Sequence, residues 1–208
     1  MKIFSLRYKL VIIFGALISC SSFILGLVII LTSKQAVENE IKYSLIDKVD
    51  STSEIIEGKV AAVFSYLEGI ARNPILRDDS SSKMDKISYL KKEVQFNDEL
   101  KALDVTDPKG VSHTSDAQEC SSGGEMWFKV CMQGGKFLTD PYTCPRTNRF
   151  ISTFAVPIYG NSGSVIGVLS AAFSGYWTSE AVKDLVIGKT GHCYVVNKDG
   201  TIIAHKDD

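Results

Sequence analysis

The sequence predicts an α+β protein: a single transmembrane helix, a long stalk helix and an antiparallel sheet module flanked by helices. Three observations predict it. Leu10–Leu31 carries no charged residue. From Val37 to Ile70 apolar residues recur every three or four positions. Beyond Glu99 the pattern changes to short β-rich runs separated by Gly- and Asn-containing turns. Composition agrees: 45% of the 208 residues are hydrophobic, 23% are charged, and the formal net charge is −1. Those values exclude a disordered tail and a strongly basic nucleic-acid binder.

The near-zero charge hides an asymmetry. Residues 1–32 contain Lys2, Arg7 and Lys9 and no acid, so the other 20 bases stand against all 24 acids. A helix needs roughly 20 apolar residues to cross the hydrocarbon core, and LVIIFGALISCSSFILGLVIIL meets that length. Bases on its N-terminal side predict that residues 1–9 stay in the cytoplasm and that the body lies outside. A cleaved signal peptide fits less well, because its apolar core runs to only about 7–15 residues. Leu17-Ile18-Ser19-Cys20 has the look of a lipoprotein processing site, but the chain stays apolar to Leu31.

The stripe Val37, Ile41, Leu45, Val49, Thr52, Ile56, Val60, Val63, Leu67 and Ile70 keeps to one helical face for about nine turns. Asn73-Pro74 should stop that helix, since proline disfavours helix in the residue before it. Such a helix would reach on the order of 55–60 Å from the bilayer. A stripe of this length calls for a partner, in the domain itself or in a homodimer. Residues 75–98 read as a loop with Ser80, Ser81 and Ser82, then a short helix through Ile87, Leu90 and Val94.

Five strands are expected next: Leu100–Val105, Val111–Thr114, Lys136–Tyr142, Phe150–Tyr159 and Ser164–Phe173. Asp107-Pro108-Lys109-Gly110 and Gly160-Asn161-Ser162-Gly163 supply turns. Gly124–Met132 and Tyr176–Val186 read as helices. A second strand–turn–strand unit, Cys193–Val196, Asn197-Lys198-Asp199-Gly200 and Thr201–His205, repeats the first hairpin.

Catalytic patterns are not evident, so no enzyme is expected. Gly188-Lys189-Thr190 lacks the upstream glycine of a phosphate loop, with Lys183 at that place. His113, His192 and His205 have no metal-ligand spacing. Cys120, Cys131, Cys144 and Cys193 allow three pairings. A bridge among the first three and a set of free, partly buried thiols both remain open.

Three stretches carry a family likeness: MWFKVCMQGGKFLTDPYTC, ISTFAVPIYGNSGSVIGVLSAAFS and VIGKTGHCYVVNKDGTIIAHKDD. The chain resembles the N-terminal part of the double-Cache (dCache) sensor of bacterial methyl-accepting chemotaxis proteins. The resemblance implies a transmembrane helix at 10–32, a stalk at 33–73 and a membrane-distal PAS-like Cache module at 74–175. It makes 176–208 a linker helix and the start of a second, truncated, membrane-proximal module. Relatives continue into a second span, a HAMP relay and a signalling rod, which these residues do not include. The same sensor occurs on histidine kinases and cyclic-dinucleotide enzymes, and a stalked binding or adhesion protein is a further alternative.

The resemblance also implies site residues. Amino-acid-binding members use an Arg-x-Trp-Tyr motif, a Tyr on the next strand and an Asp on the last strand. Here the first motif becomes Glu125-Met126-Trp127-Phe128, Tyr142 keeps the strand tyrosine, and the Asp position falls on Ala172. A ligand carboxylate wants a charge-assisted donor such as Arg; Glu125 would repel it. The expectation is therefore a small-molecule pocket of Trp127, Phe128, Tyr142 and Glu125. It would refuse free α-amino acids in their usual pose and favour a cationic ligand, with no cofactor, no metal and no nucleic-acid partner.

Overall fold

The computed structural model describes residues 6–78, 80–183, 186–187 and 191–205. The chain divides into two units, residues 1–51 and 52–208. Helix α1 spans Leu6–Ala71 and contributes to both. Residues 1–5 of the expected basic head, and Gly188-Lys189-Thr190, lie outside the described residues.

In the first unit the apolar side chains of α1 are exposed all round, from Val11 and Ile12 to Ile30 and Leu31. A helix whose apolar side chains are exposed on every side suits lipid, and α1 is long and apolar enough to cross a membrane. Two of its hydroxyls are satisfied internally, as hydrocarbon favours. Ser21 Oγ donates to the Ile18 carbonyl at 2.9 Å, and Thr32 Oγ1 donates to the Val28 carbonyl at 2.8 Å. Val37, Ile41 and Val49, the start of the predicted stripe, are exposed.

In the second unit the stripe finds its partner within the chain. Leu67, Ile70 and Ala71 are buried, with Val60, Val63 and Phe64 packed beside them. The helix stops just before Asn73-Pro74 as expected. Asn73 caps α2 (Pro74–Arg77), its Oδ1 accepting from Ile75 N–H at 3.0 Å. Ser82 caps α3 (Lys83–Phe96), accepting from Asp85 N–H at 3.1 Å and donating to the Asp85 carboxylate at 2.8 Å.

The sheet is antiparallel: β1 (Leu100–Thr106), β2 (Val111–Thr114), β3 (Glu119–Ser121), β4 (Phe137–Leu138), β5 (Tyr142–Thr143), β6 (Phe150–Tyr159) and β7 (Val165–Ser174). Their order is β3-β2-β1-β7-β6-β4, with β5 also on β6. Alternate residues face opposite sides. Leu103, Val105, Phe154, Val156, Ile158, Leu169, Ala171 and Phe173 form the core under α1, α2 and α3. Phe154 anchors it, with Phe64 at 5.4 Å and Phe173 at 5.1 Å, both edge-on. On the opposite face Ala155 and Val168 pack against α4 (Met126–Met132).

Four expectations need correction. The expected strand Lys136–Tyr142 is two pieces. Leu138 pairs Phe154 and Tyr142 pairs Ile151, so β4–β5 spends one more residue than β6 on the same stretch. Pro141 lies in that bulge, where its missing N–H costs no ladder bond. The helix expected from Gly124 starts at Met126, because Glu125 is still extended (ψ 141°). The helix expected to Val186 is α5 (Trp177–Val182); Val186–Ile187 forms β8, paired with β9 (Gly191–His192). Strand β3 was not foreseen; three residues are too few to show a period.

The internal repeat is present down to its turn. In the first copy Asp107 Oδ1 accepts from the N–H groups of Lys109 and Val111, both at 2.9 Å. In the second, between β10 (Tyr194–Val196) and β11 (Ile202–His205), Asn197 Oδ1 accepts from Asp199 N–H at 3.0 Å and Thr201 N–H at 2.9 Å. Each turn closes on a left-handed glycine, Gly110 at φ +84° and Gly200 at φ +81°.

Candidate ligand-binding site

The face of the sheet turned away from α1 carries the polar residues. Along β1 it presents Ala102, Asp104 and Thr106. The register places Thr114 and Ser170 directly across from Asp104, Ala172 across from Ala102, and Thr153 across from Ala172. Thr114, Ser170 and Thr153 are buried at 1%, 5% and 6% exposure. Their hydroxyls therefore line a shielded surface.

Of the residues named from sequence, Trp127 and Phe128 sit on α4 and are buried, their rings edge-on at 6.3 Å. They pack with Cys131, Ala155 and Val168, so part of their surface already serves a hydrophobic cluster. Tyr142 is half-buried, and its hydroxyl is 2.9 Å from Thr153 Oγ1. Burial pushes its phenol up, the Thr153 contact opposes this, and the charges of Cys144, Glu125 and Asp104 push it further up. The register sets Thr153, which meets the Tyr142 hydroxyl, on the same sheet face as Asp104, two strands away and one row along. Glu125 is exposed at the start of α4 and makes no side-chain capping bond.

Asp104 is the residue that sequence reasoning missed. Its side chain is 19% exposed, and Oδ2 lies 3.6 Å from Arg146 Nη2. Oδ1 is fully shielded and accepts no hydrogen bond among the described residues. Burial pushes the carboxyl up to about 6; Arg146 lowers it, Asp116 raises it, and the Ser115 backbone N–H lowers it. A shielded, unpartnered carboxylate oxygen is costly and is uncommon without a role. The carry-over from relatives looked for an acid at Ala172. An acid, Asp104, lies one strand over and one row along from Ala172, since Asp104 is opposite Ser170. The sequence signal was a charge between two core residues, Leu103-Asp104-Val105.

Arg146, from the loop after β5, covers Asp104 and also donates to Gln118 Oε1 at 3.4 Å. The result is a shielded carboxylate with a guanidinium 3.6 Å from one oxygen, on the sheet face that α4 also packs against. The remaining candidates do not converge on it. Cys120, Cys131, Cys144 and Cys193 are free, which answers the open disulfide question for this structure. Burial raises Cys131 to about 12, with a backbone bond from Phe137 opposing. His113 lies 3.3 Å from Glu119, which also meets Lys83 at 3.3 Å. Among the described residues no cluster of His, Cys, Asp and Glu could hold a metal.

Comparisons with known proteins fit this layout. Residues 32–208 match the dCache_1 model of the Cache domain. The methyl-accepting chemotaxis protein McpA of Bacillus subtilis (strain 168) is 22% identical over 98% of the chain. The chain spans 31% of the length of that relative. Among solved structures, the sensory domain of the Campylobacter jejuni chemoreceptor Tlp3 with isoleucine bound has a TM-score of 0.65 at 18% identity, covering 82% of this chain and 72% of that one. The ligand-binding domain of the Pseudomonas fluorescens chemoreceptor CtaA with L-serine has a TM-score of 0.64 at 19% identity, covering 82% and 74%. At that identity the likeness is one of fold. With a family model matched across most of its length, the chain belongs to the Cache domain family.

Proposed function

We propose that this chain is the extracytoplasmic small-molecule sensing part of a membrane chemoreceptor serving chemotaxis. Residues 1–9 face the cytoplasm, 10–32 cross the plasma membrane, 33–73 form a stalk and 74–175 form the ligand-binding module. Residues 176–208 lead into a membrane-proximal module. Two copies pair along the exposed start of the stripe, Val37, Ile41 and Val49. The likeness to chemoreceptor sensory domains and the charge-free helix behind three bases support this reading. It is a binding role, not an enzymatic one.

The ligand carries a cationic amine and is not a free α-amino acid held in the usual pose. The single observation behind this is Asp104 Oδ1, shielded and without a hydrogen-bond partner among the described residues. Glu125 adds negative charge near Tyr142. The arriving ammonium replaces the Arg146 guanidinium on Asp104, while Tyr142, Trp127 and Phe128 bound its apolar part. Tlp3 and CtaA are solved with amino acids, which also bear an ammonium group. Here the carboxylate-binding Arg of the usual motif is Glu125.

A thermal-shift screen of the chain in nanodiscs tests this, with small amines in one arm and the common L-amino acids in the other. A ligand at 100 times its dissociation constant adds about 2.7 kcal/mol to the folded state. Stabilisation by an amine supports the reading. Stabilisation by L-amino acids alone overturns it.

A further inference from the structure

A second cleft, sharing no residue with the Asp104 face, lies where the end of α1 meets the end of β6. Its volume is about 290 Å³, and Glu68, Arg72, Arg77, Lys136 and Tyr159 line it. Three cations and one carboxylate thus share the lining. Glu68 is shared, meeting Lys136 at 2.5 Å and Arg72 at 3.7 Å. Arg77 donates from Nε to the Tyr159 carbonyl at 2.8 Å and from Nη2 to the Gly160 carbonyl at 3.3 Å. Those bonds fix its guanidinium but leave its charge uncompensated by any acid among the described residues. Three of its five N–H donors remain.

The backbone is arranged to keep this cleft open. β4 ends its pairing at Ala155, so among the described residues no strand covers that edge of β6 from Pro157 onward, and Arg77 reaches its carbonyls. Pro157, which has no N–H, suits that edge. Gly134 turns the chain after α4 at φ +87°, with its N–H on the Cys131 carbonyl at 2.9 Å. That turn delivers Lys136, which also lies over the Phe64 ring at 5.8 Å. The cations are thus held by backbone carbonyls, a ring and one acid, and the surplus is two positive charges.

We infer that this cleft is a second binding site, for a small dianion of the phosphate or dicarboxylate class. Two positive charges match two negative ones, and a cavity of this size is at the low end for small ligands. The planar donors of Arg72 and Arg77 suit paired anionic oxygens. Glu68 orients Arg72 and Lys136 but competes with the ligand for them.

The test is calorimetric titration of the full chain in phosphatidylcholine nanodiscs, with inorganic phosphate in one arm and succinate in the other. A chloride control holds ionic strength constant. Saturable binding of at least one dianion is expected. The double variant Arg72→Gln/Lys136→Gln, at exposed side chains, should weaken it by about tenfold or more, as loss of charge-assisted bonds does. Glu68→Gln should tighten it, because an internal competitor is gone. Both variants should leave amine binding at Asp104 unchanged, which separates this site from the first. The inference is overturned if neither dianion saturates beyond the chloride control. It is also overturned if the double variant binds like the parent or if Glu68→Gln weakens binding.

Discussion

The Arg146 guanidinium stands 3.6 Å from the Asp104 carboxylate, a pair split between a loop and the middle strand of the sheet. The geometry is too long for a strong hydrogen bond, and Oδ1 accepts no hydrogen bond among the described residues. The pair is therefore loosely satisfied. It is stable enough to keep a charge in a shielded place and weak enough for another cation to replace. Replacing Arg146 by Gln should remove the competitor for Asp104 and tighten amine binding several-fold, read by calorimetry.

Asp104 also gives a pH dependence of stability. Its carboxyl is raised from 3.8 to about 6, so between those values the folded chain holds a proton that the unfolded chain has released. Stability from this group is then largest at low pH and falls as pH rises to about 6. The span corresponds to roughly 2–3 kcal/mol. Thermal melts at pH 4.5 and 7 should differ by more in the parent than in Asp104→Asn. Amine affinity should run the other way and weaken below pH 6 as the carboxylate is protonated.

Phe154 carries the main core. It is 1% exposed and meets three aromatic rings, Phe64, Phe173 and Trp177. Phe154→Ala should destabilise the second unit by about 3–5 kcal/mol, measured by chemical denaturation.

Gly110 fixes the first turn. A Cβ there would lie 2.5 Å from the Gly123 Cα, in a backbone conformation that side chains avoid. Gly110→Ala should cost well over about 1 kcal/mol. Gly200→Ala, where nothing lies within 4 Å among the described residues, should cost about 1 kcal/mol from conformation alone.

Cys131 should resist alkylation in the folded chain, since burial raises its thiol to about 12 and shields it completely. Mass spectrometry after brief alkylation at pH 8 should find Cys120 and Cys193 labelled and Cys131 unlabelled until denaturant is added.

The parts legible in the sequence were those governed by local rules. Periodicity showed α1, and Asn73-Pro74 marked its end. Turn chemistry showed both hairpins, and the structure adds the matching Asp107 and Asn197 bonds. Site residues were harder, because a strand reveals which residues share a face but not which neighbour it receives. Asp104 joins Tyr142 and Thr153 only once β1 is placed beside β7 and β7 beside β6. The acid of the sheet face, Asp104, stands on β1, whereas the residue compared in sequence was Ala172 on β7. The bulge at Pro141 was hidden because pairing register is a property of two strands, not one.

The most direct measurement is calorimetric titration of the parent chain and Asp104→Asn with small organic amines at pH 7.5. This account predicts saturable binding to the parent and a loss of about tenfold or more in Asp104→Asn, the scale of a charge-assisted bond. Equal affinity in the two chains, or tight binding of a common L-amino acid that survives the substitution, would contradict it.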